Sequence, residues 1–219
     1  MNDLTYVIAT RKGSKRIKNK NTRKFGKTNL LEIKLKQIKR IDKNPKIFFS
    51  SNCNIARRIA AKYDVEIDKR PNKYASDTVP MRDVYAYLAR KVNTKYVCYL
   101  HVTAPFLKDT TLKKAIRIFF KSRKFDSLAS VTQIKEYLWF KNKPINYNPK
   151  NHPSSQNLPE YLALNFAVNI VSTKYMKSKG RIVGEKFFPL ILKQPESFDL
   201  DYQWQFDIAD TIIKKMKKN

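Results

Sequence analysis

The sequence has little negative charge: 18 Asp and Glu stand against 46 Lys and Arg, a formal net charge of +28 over 219 residues. Cysteine is scarce. Cys53 and Cys98 are the two present, too few for a disulfide framework or a four-ligand zinc site, and a reducing cytoplasm is the expected setting. Long apolar runs are missing. Stretches such as Tyr96 to Pro105 fall far short of the ~20 apolar residues of a membrane span. The N-terminus lacks a basic region followed by an apolar stretch and a small-residue cleavage site, so no secretory signal is expected. No internal repeat is visible.

What is present argues for a packed core. Hydrophobic residues make up 42% and aromatics 12%, too many for a disordered polycation. The length suits one domain, expected to span residues 1–219. The positive charge has two readings. One is a polyanion partner, since such a field attracts nucleic acid, phosphates or anionic membranes. The other is coding bias: 34 Lys against 12 Arg, with 17 Asn, is the skew an AT-rich coding sequence produces. The lysines are scattered, apart from denser runs at Arg11–Lys27 and Lys214–Lys218. Nucleic-acid readers cluster their cations on one face and use arginine, so neither a nucleic-acid nor a membrane partner is expected.

Strand and helix patterns alternate along the chain. Leu4–Ala9, Lys46–Ser50, Val65–Ile67, Tyr96–Leu100, Ser127–Thr132 and Leu162–Val171 read as strands. Leu30–Ile41, Ile55–Tyr63, Val84–Val92, Leu112–Phe120 and Trp204–Lys215 read as helices, with Asp109 as an N-cap. This rhythm predicts an α/β fold with a mostly parallel central sheet. Between Ile134 and Pro159 the rhythm breaks into a stretch rich in Pro, Asn and aromatics, too long for an ordinary loop.

The first strand opens into Ala9-Thr-Arg11-Lys-Gly13-Ser14-Lys15-Arg-Ile-Lys-Asn-Lys20-Asn21. Ligands of open α/β sheets bind beyond the carboxyl ends of the strands. There a loop with Gly, Ser and cations can wrap a polyphosphate, or it is simply a solvated basic loop. Gly26-Lys27-Thr28 is not a P-loop, because position 21 is Asn where that motif needs Gly. Asp199-Leu-Asp201 places two carboxylates on one face of an extended segment. They read as a metal pair or as a cap for the following helix.

Taken in order, these segments resemble the cytidylyltransferases that make CMP-activated sugar acids. The loop has the pattern Ala-x-Arg-x-x-Ser-Lys-x-x-x-x-Lys-Asn. It is followed by Arg70-Pro71, Ala75-Ser76-Asp77-Thr78, Leu100-His101-Val-Thr103-Ala-Pro105, Gln156-Asn-Leu158-Pro159, Asn165-Phe-Ala167 and Asp199-Leu-Asp201. The resemblance implies a Rossmann-like nucleotidyltransferase in which a sugar hydroxyl attacks the α-phosphate of CTP and pyrophosphate leaves. It implies Arg11, Gly13, Ser14, Lys15, Lys20, Asn21 and Arg70 around the nucleotide, with Arg11, Lys15, Lys20 and Asp201 in catalysis. It implies His101, Thr103, Gln156 and Asn165 at the acceptor, and Asp199 and Asp201 on Mg²⁺. Such chemistry is mostly positioning plus cations, and Mg²⁺ favours one or two carboxylates with phosphate oxygens.

Ser76 and Asp77 read equally as an ordinary helix cap, and His101, where the family usually has Gln, reads equally as a structural histidine. Two departures concern the acceptor. Ser155 and Ala163 stand where sialic-acid enzymes carry arginines, the natural partners of a sugar carboxylate. The acceptor is therefore an acidic sugar or another small hydroxylated acid or phosphonate. A non-catalytic polyanion-binding homologue is the rival from a different class. By the same resemblance, residues 134–160 are expected to form an arm that makes a homodimer, with a lid over the same chain as the alternative.

Overall fold

The computed structural model describes residues 3–122 and 124–216, so Lys217 and Lys218 of the basic tail lie outside the described residues. The main sheet has seven strands: β1 (Leu4–Thr10), β2 (Lys46–Ser51), β3 (Glu66–Lys69), β4 (Tyr96–Leu100), β5 (Ser127–Ile134), β8 (Tyr161–Ser172) and β9 (Phe187–Ile191). Their order is β3-β2-β1-β4-β8-β5-β9. β8 is antiparallel to both its neighbours, while the β1, β2, β3 and β4 pairings and the β5–β9 pairing are parallel. The sheet is mostly parallel, as the alternating pattern predicts.

Two apolar layers follow from the period of two. Tyr6, Ile8, Cys98 and Leu100 face one layer, and Val7, Val97 and Tyr99 the other. The first layer is closed by α1 (Leu30–Ile41), α2 (Asn54–Ala60), α4 (Asp109–Lys121) and α6 (Gln203–Met216) through residues such as Leu35, Ala60, Leu112 and Phe206. The second is closed by α3 (Met81–Arg90) and α5 (Thr173–Lys179) through Val84, Leu88 and Met176. Helices on both faces explain why the central strands read as continuous apolar runs.

Several local expectations need correction. Asp109 does not cap α4. It is the first helical residue, with Lys108 at the N-cap, and its carboxylate accepts from Arg40 Nε at 2.7 Å and Gln37 Nε2 at 3.1 Å. The helix expected from Val84 begins earlier, at Met81 directly after Pro80, because the polar first turn carries no apolar period. β3 runs to Lys69, past the apolar Val65–Ile67 that marked it. α5 and β9 were not marked by the sequence. α5 ends at Gly180, whose φ of +62° is left-handed and whose absent Cβ would press on Arg82 O. That glycine lets α5 dock closely on α3.

Residues 135–160 leave the sheet. The short strands β6 (Trp139–Phe140) and β7 (Lys143–Pro144) pair with each other, and Tyr137, Tyr147 and His152 form a small aromatic cluster beside them. Trp139 and Phe140 remain 57% and 63% exposed. Among the described residues, no helix is long and apolar enough to cross a membrane.

Candidate active site

A cleft of about 490 Å³ lies beyond the carboxyl ends of β1 and β4. Its floor is Tyr99, His101 and Thr103, at the end of β4 and the start of the following loop. One wall is the basic loop after β1, contributing Arg11, Ser14, Lys15, Arg16, Lys20 and Asn21. Arg70 and Met81 complete it from the segment joining β3 to α3. Gly13 lines a narrow recess beside the cleft instead, at a φ of +86° that suits glycine.

The loop after β1 is pinned although it is basic. Lys12 N donates to Asn52 Oδ1 at 2.8 Å. Ile17 is buried in the core, and Leu31 N donates to Asn21 O at 3.2 Å, tying the loop to α1. Pinned in this way, it lines the cleft with Arg11, Lys15, Arg16 and Lys20.

The basic loop and the acidic pair, some 180 residues apart in sequence, meet. Asp201 Oδ1 lies 3.0 Å from Arg16 Nη2 and 3.5 Å from Lys20 Nζ, and Lys20 Nζ also donates to Leu200 O at 2.6 Å. Leu200 N donates to Thr103 O at 3.0 Å, tying the acidic segment to the cleft floor. Neither aspartate caps α6 among the described hydrogen bonds. Gln205 Oε1 accepts from Asp201 N at 2.7 Å and Tyr202 N at 2.8 Å, and this folded-back glutamine organises the helix start.

Asp199 is the more buried carboxylate. Its Oδ1 is buried with no hydrogen-bond partner among the described residues. Burial pushes its carboxyl above the usual range, against a hydrogen bond from Thr103 that favours the ionised form. An orphaned buried carboxylate oxygen, with the charge of Asp201 near enough to be felt, fits a hard cation that brings its remaining ligands from water and phosphate. Among the described residues there is no cluster of three or more His, Cys, Asp or Glu that could hold a metal by itself.

His101 is packed between Tyr99 and Phe166, with ring centroids 5.2 and 5.7 Å away. Its Nε2 is buried without a partner among the described residues. Burial, helped by the Lys20 and Lys34 cations, pushes its pKa down to about 4, so it is a neutral imidazole at physiological pH. Arg70 is nearly fully buried and donates from Nη2 to Thr10 O and, at 3.0 Å, to Ser50 O. It therefore ties the ends of β1 and β2 together as well as lining the cleft.

Four of the expected site residues, Gln156, Asn165, Asp199 and Asp201, are not among the residues that line this cleft. Gln156 is exposed in a short turn, where its carbonyl accepts from Lys135 Nζ at 3.3 Å. Asn165 sits where the β5–β8 register shifts. It accepts from Ser130 Oγ at 2.6 Å and donates to Thr132 Oγ1 at 3.0 Å. Ser155 and Ala163 also lie outside the residues lining the cleft. Asn165 is held by the bulge, and the next residue, Phe166, has a φ of +57° that turns it toward His101.

Sequence reasoning missed Arg16, Met81 and Tyr99. Arg16 was hidden among equivalent cations, Tyr99 read as part of an apolar strand, and Met81 lay between the segments that carried a pattern. Asp77, weighed as a cap, instead pairs with Arg11 and, at 2.7 Å, with Lys15. Ser76 Oγ accepts from Val79 N at 3.2 Å in the turn before α3.

Residues 5–148 match the family model described as cytidylyltransferase. The chain is 23% identical to post-translational flagellin modification protein B of Campylobacter coli, over 98% of this chain and 97% of that protein. It is also 23% identical to the N-acylneuraminate cytidylyltransferase of Escherichia coli O18:K1:H7, over 97% of this chain but 52% of that protein, so it spans about half that relative's length. Among solved structures, CMP:2-keto-3-deoxy-manno-octonic acid synthetase complexed with CTP superposes with a TM-score of 0.72 at 11% identity, covering 97% of this chain and 99% of that one. With a family match over most of its length on a nucleotidyltransferase scaffold, the chain belongs to the cytidylyltransferase family and is a nucleotidyltransferase enzyme.

Proposed function

We propose that the protein transfers CMP from CTP to a hydroxyl of a sugar acid and releases pyrophosphate. The carrying observation is the contact of Asp201 with Arg16 and Lys20, because it assembles cations and carboxylates around one cleft. The names of the relatives, an N-acylneuraminate cytidylyltransferase among them, support the substrate class. A different small hydroxylated acid or phosphonate is the second acceptor class, favoured by Ser155 and Ala163 in place of arginine.

In the reaction the acceptor oxygen bonds the α-phosphorus while the bond to the β-phosphate oxygen breaks. Arg11, Lys15 and Lys20 neutralise the triphosphate and the charge that builds on the leaving pyrophosphate. Ser14 and the Gly13 backbone donate hydrogen bonds to phosphate, and Asn21 and Arg70 face the nucleoside. Thr103 and the neutral His101 hold the acceptor. Asp199 and Asp201 would hold Mg²⁺, which supplies charge neutralisation on phosphate oxygens when bound. Asp201, partly exposed and paired with the cleft-lining Arg16 and Lys20, takes the proton of the attacking hydroxyl in this reading.

The arm at 134–160, with Trp139 and Phe140 exposed, serves a homodimer in this reading, and the enzyme works in the cytoplasm. A pyrophosphate-release assay with CTP, Mg²⁺ and a panel of sugar acids, smaller hydroxy acids and phosphonates tests the assignment. Asp201→Asn is expected to abolish release while its melting curve stays near that of the parent. Absence of CTP-dependent release with every acceptor, or full turnover by Asp201→Asn, removes the proposal.

A further inference from the structure

Two cations of the loop after β1 already share an anion. Arg11 Nη1 meets Asp77 Oδ1, and Lys15 Nζ lies 2.7 Å from Asp77 Oδ2. Each carboxylate oxygen takes one cation, as two oxygens of a phosphate would. Arg11 and Lys15 line the cleft, whereas Asp77 reaches them from outside it. Asp77 sits between the turn Asn72–Tyr74 and α3, with Ser76, Asp77 and Thr78 all exposed. Both flanks of this segment, Arg70 and Met81, line the cleft. Hydrogen bonds from Lys15 and Arg11 hold the Asp77 carboxyl below the usual range, so it stays ionised across the physiological pH range.

We infer that Asp77 is an internal placeholder for the polyphosphate: it occupies Arg11 and Lys15 in the empty enzyme, is displaced when the triphosphate binds, and re-forms its pairs as pyrophosphate leaves. This rests on the proposed phosphate role of those two cations. In a protein of net charge +28, adjacent cations without such a partner would hold adventitious polyanions. A carboxylate tethered on an exposed turn lowers affinity for every polyphosphate, including the product, and so favours its release. The pairs are solvent-exposed, at 39% for Asp77 and 41% and 76% for its partners. Exposed pairs are weak and screened by salt, which suits a contact that must open in each cycle.

Titration of inorganic tripolyphosphate and of pyrophosphate into the intact protein at low salt, followed by calorimetry, tests this without requiring turnover. Asp77→Asn is expected to bind both about threefold to tenfold more tightly than the parent, the range set by losing two exposed ion pairs. Asp77→Glu should stay near the parent. Asp64→Asn is the charge control, because Asp64 pairs with Lys39 away from the cleft lining and its loss changes net charge equally. It should leave binding unchanged. Equal or weaker binding by Asp77→Asn, or an equal gain in Asp64→Asn, overturns the placeholder. If Asp77→Asn binds tripolyphosphate more tightly but no variant releases pyrophosphate from CTP, the placeholder stands and the catalytic assignment fails. In an active enzyme, Asp77→Asn should also show stronger inhibition by pyrophosphate.

Discussion

Lys34 is an ammonium group in the core. It lies on α1, is 1% exposed, and among the described residues meets no carboxylate. Its Nζ donates to Gln37 Oε1 at 2.8 Å and to Ala104 O at 3.2 Å, and Gln37 Nε2 donates to Leu107 O. The pair clamps the loop after β4, which carries Thr103. Burial pushes the Lys34 pKa down to about 7 from an ordinary value of 10.5. Between those values the unfolded chain binds a proton that the folded chain has released, so stability rises with pH. Below the folded value both states are protonated, and the full cost of burying the charge is present. From pH 7 to pH 9 the folded protein should gain about 2 kcal/mol from this group, with a limiting slope of about 1.4 kcal/mol per pH unit. Buried Tyr and Cys groups oppose this at higher pH. Cys98 and Tyr99 are both pushed up by burial, so their unfolded forms ionise first. Subtracting the urea stability of Lys34→Met from that of the parent cancels Tyr99, and a Cys98→Ala background removes the one of the two that feels the Lys34 charge. The difference should rise by about 2 kcal/mol over the window. Parallel curves for the two proteins would refute the placement of a titrating charge in the core.

Gly180→Ala should destabilise by about 2 kcal/mol or more, since a left-handed φ and a Cβ pressed on Arg82 O leave α5 no unstrained seat; a shift in urea midpoint reads it. Arg70→Met should cost about 2 kcal/mol by leaving Thr10 O and Ser50 O without their charged donor, and an unchanged midpoint would contradict the tie between β1 and β2. In sedimentation, the parent is expected to run as a dimer at micromolar concentration and the Trp139→Ser, Phe140→Ser double variant as a monomer; a monomeric parent removes the arm's proposed role.

The α/β rhythm was legible because each central strand is buried on both faces and reads as an unbroken apolar run, as at Tyr96–Leu100. The basic loop was legible from its order of residue types. α5 and β9 were not: α5 is short, and β9 contains Pro189 beside residues that are only partly buried. Asn165 shows the limit of motif reading. Its place in the order was clear, but the bulge in β5–β8 commits its amide to Ser130 and Thr132.

Sequence by itself determined which chemical groups this chain can present: a cluster of cations near the start, two aspartates near the end, and strands able to be covered on both sides. Only the tertiary structure decided which of them meet. Chain order holds no distance between Asp201 and Lys20, or between Asp77 and Lys15. Those separations are set by the strand order, which carries the loop after β1 and the end of β4 to the same edge, and by the hydrogen bond from Leu200 to Thr103 that draws the acidic segment onto it.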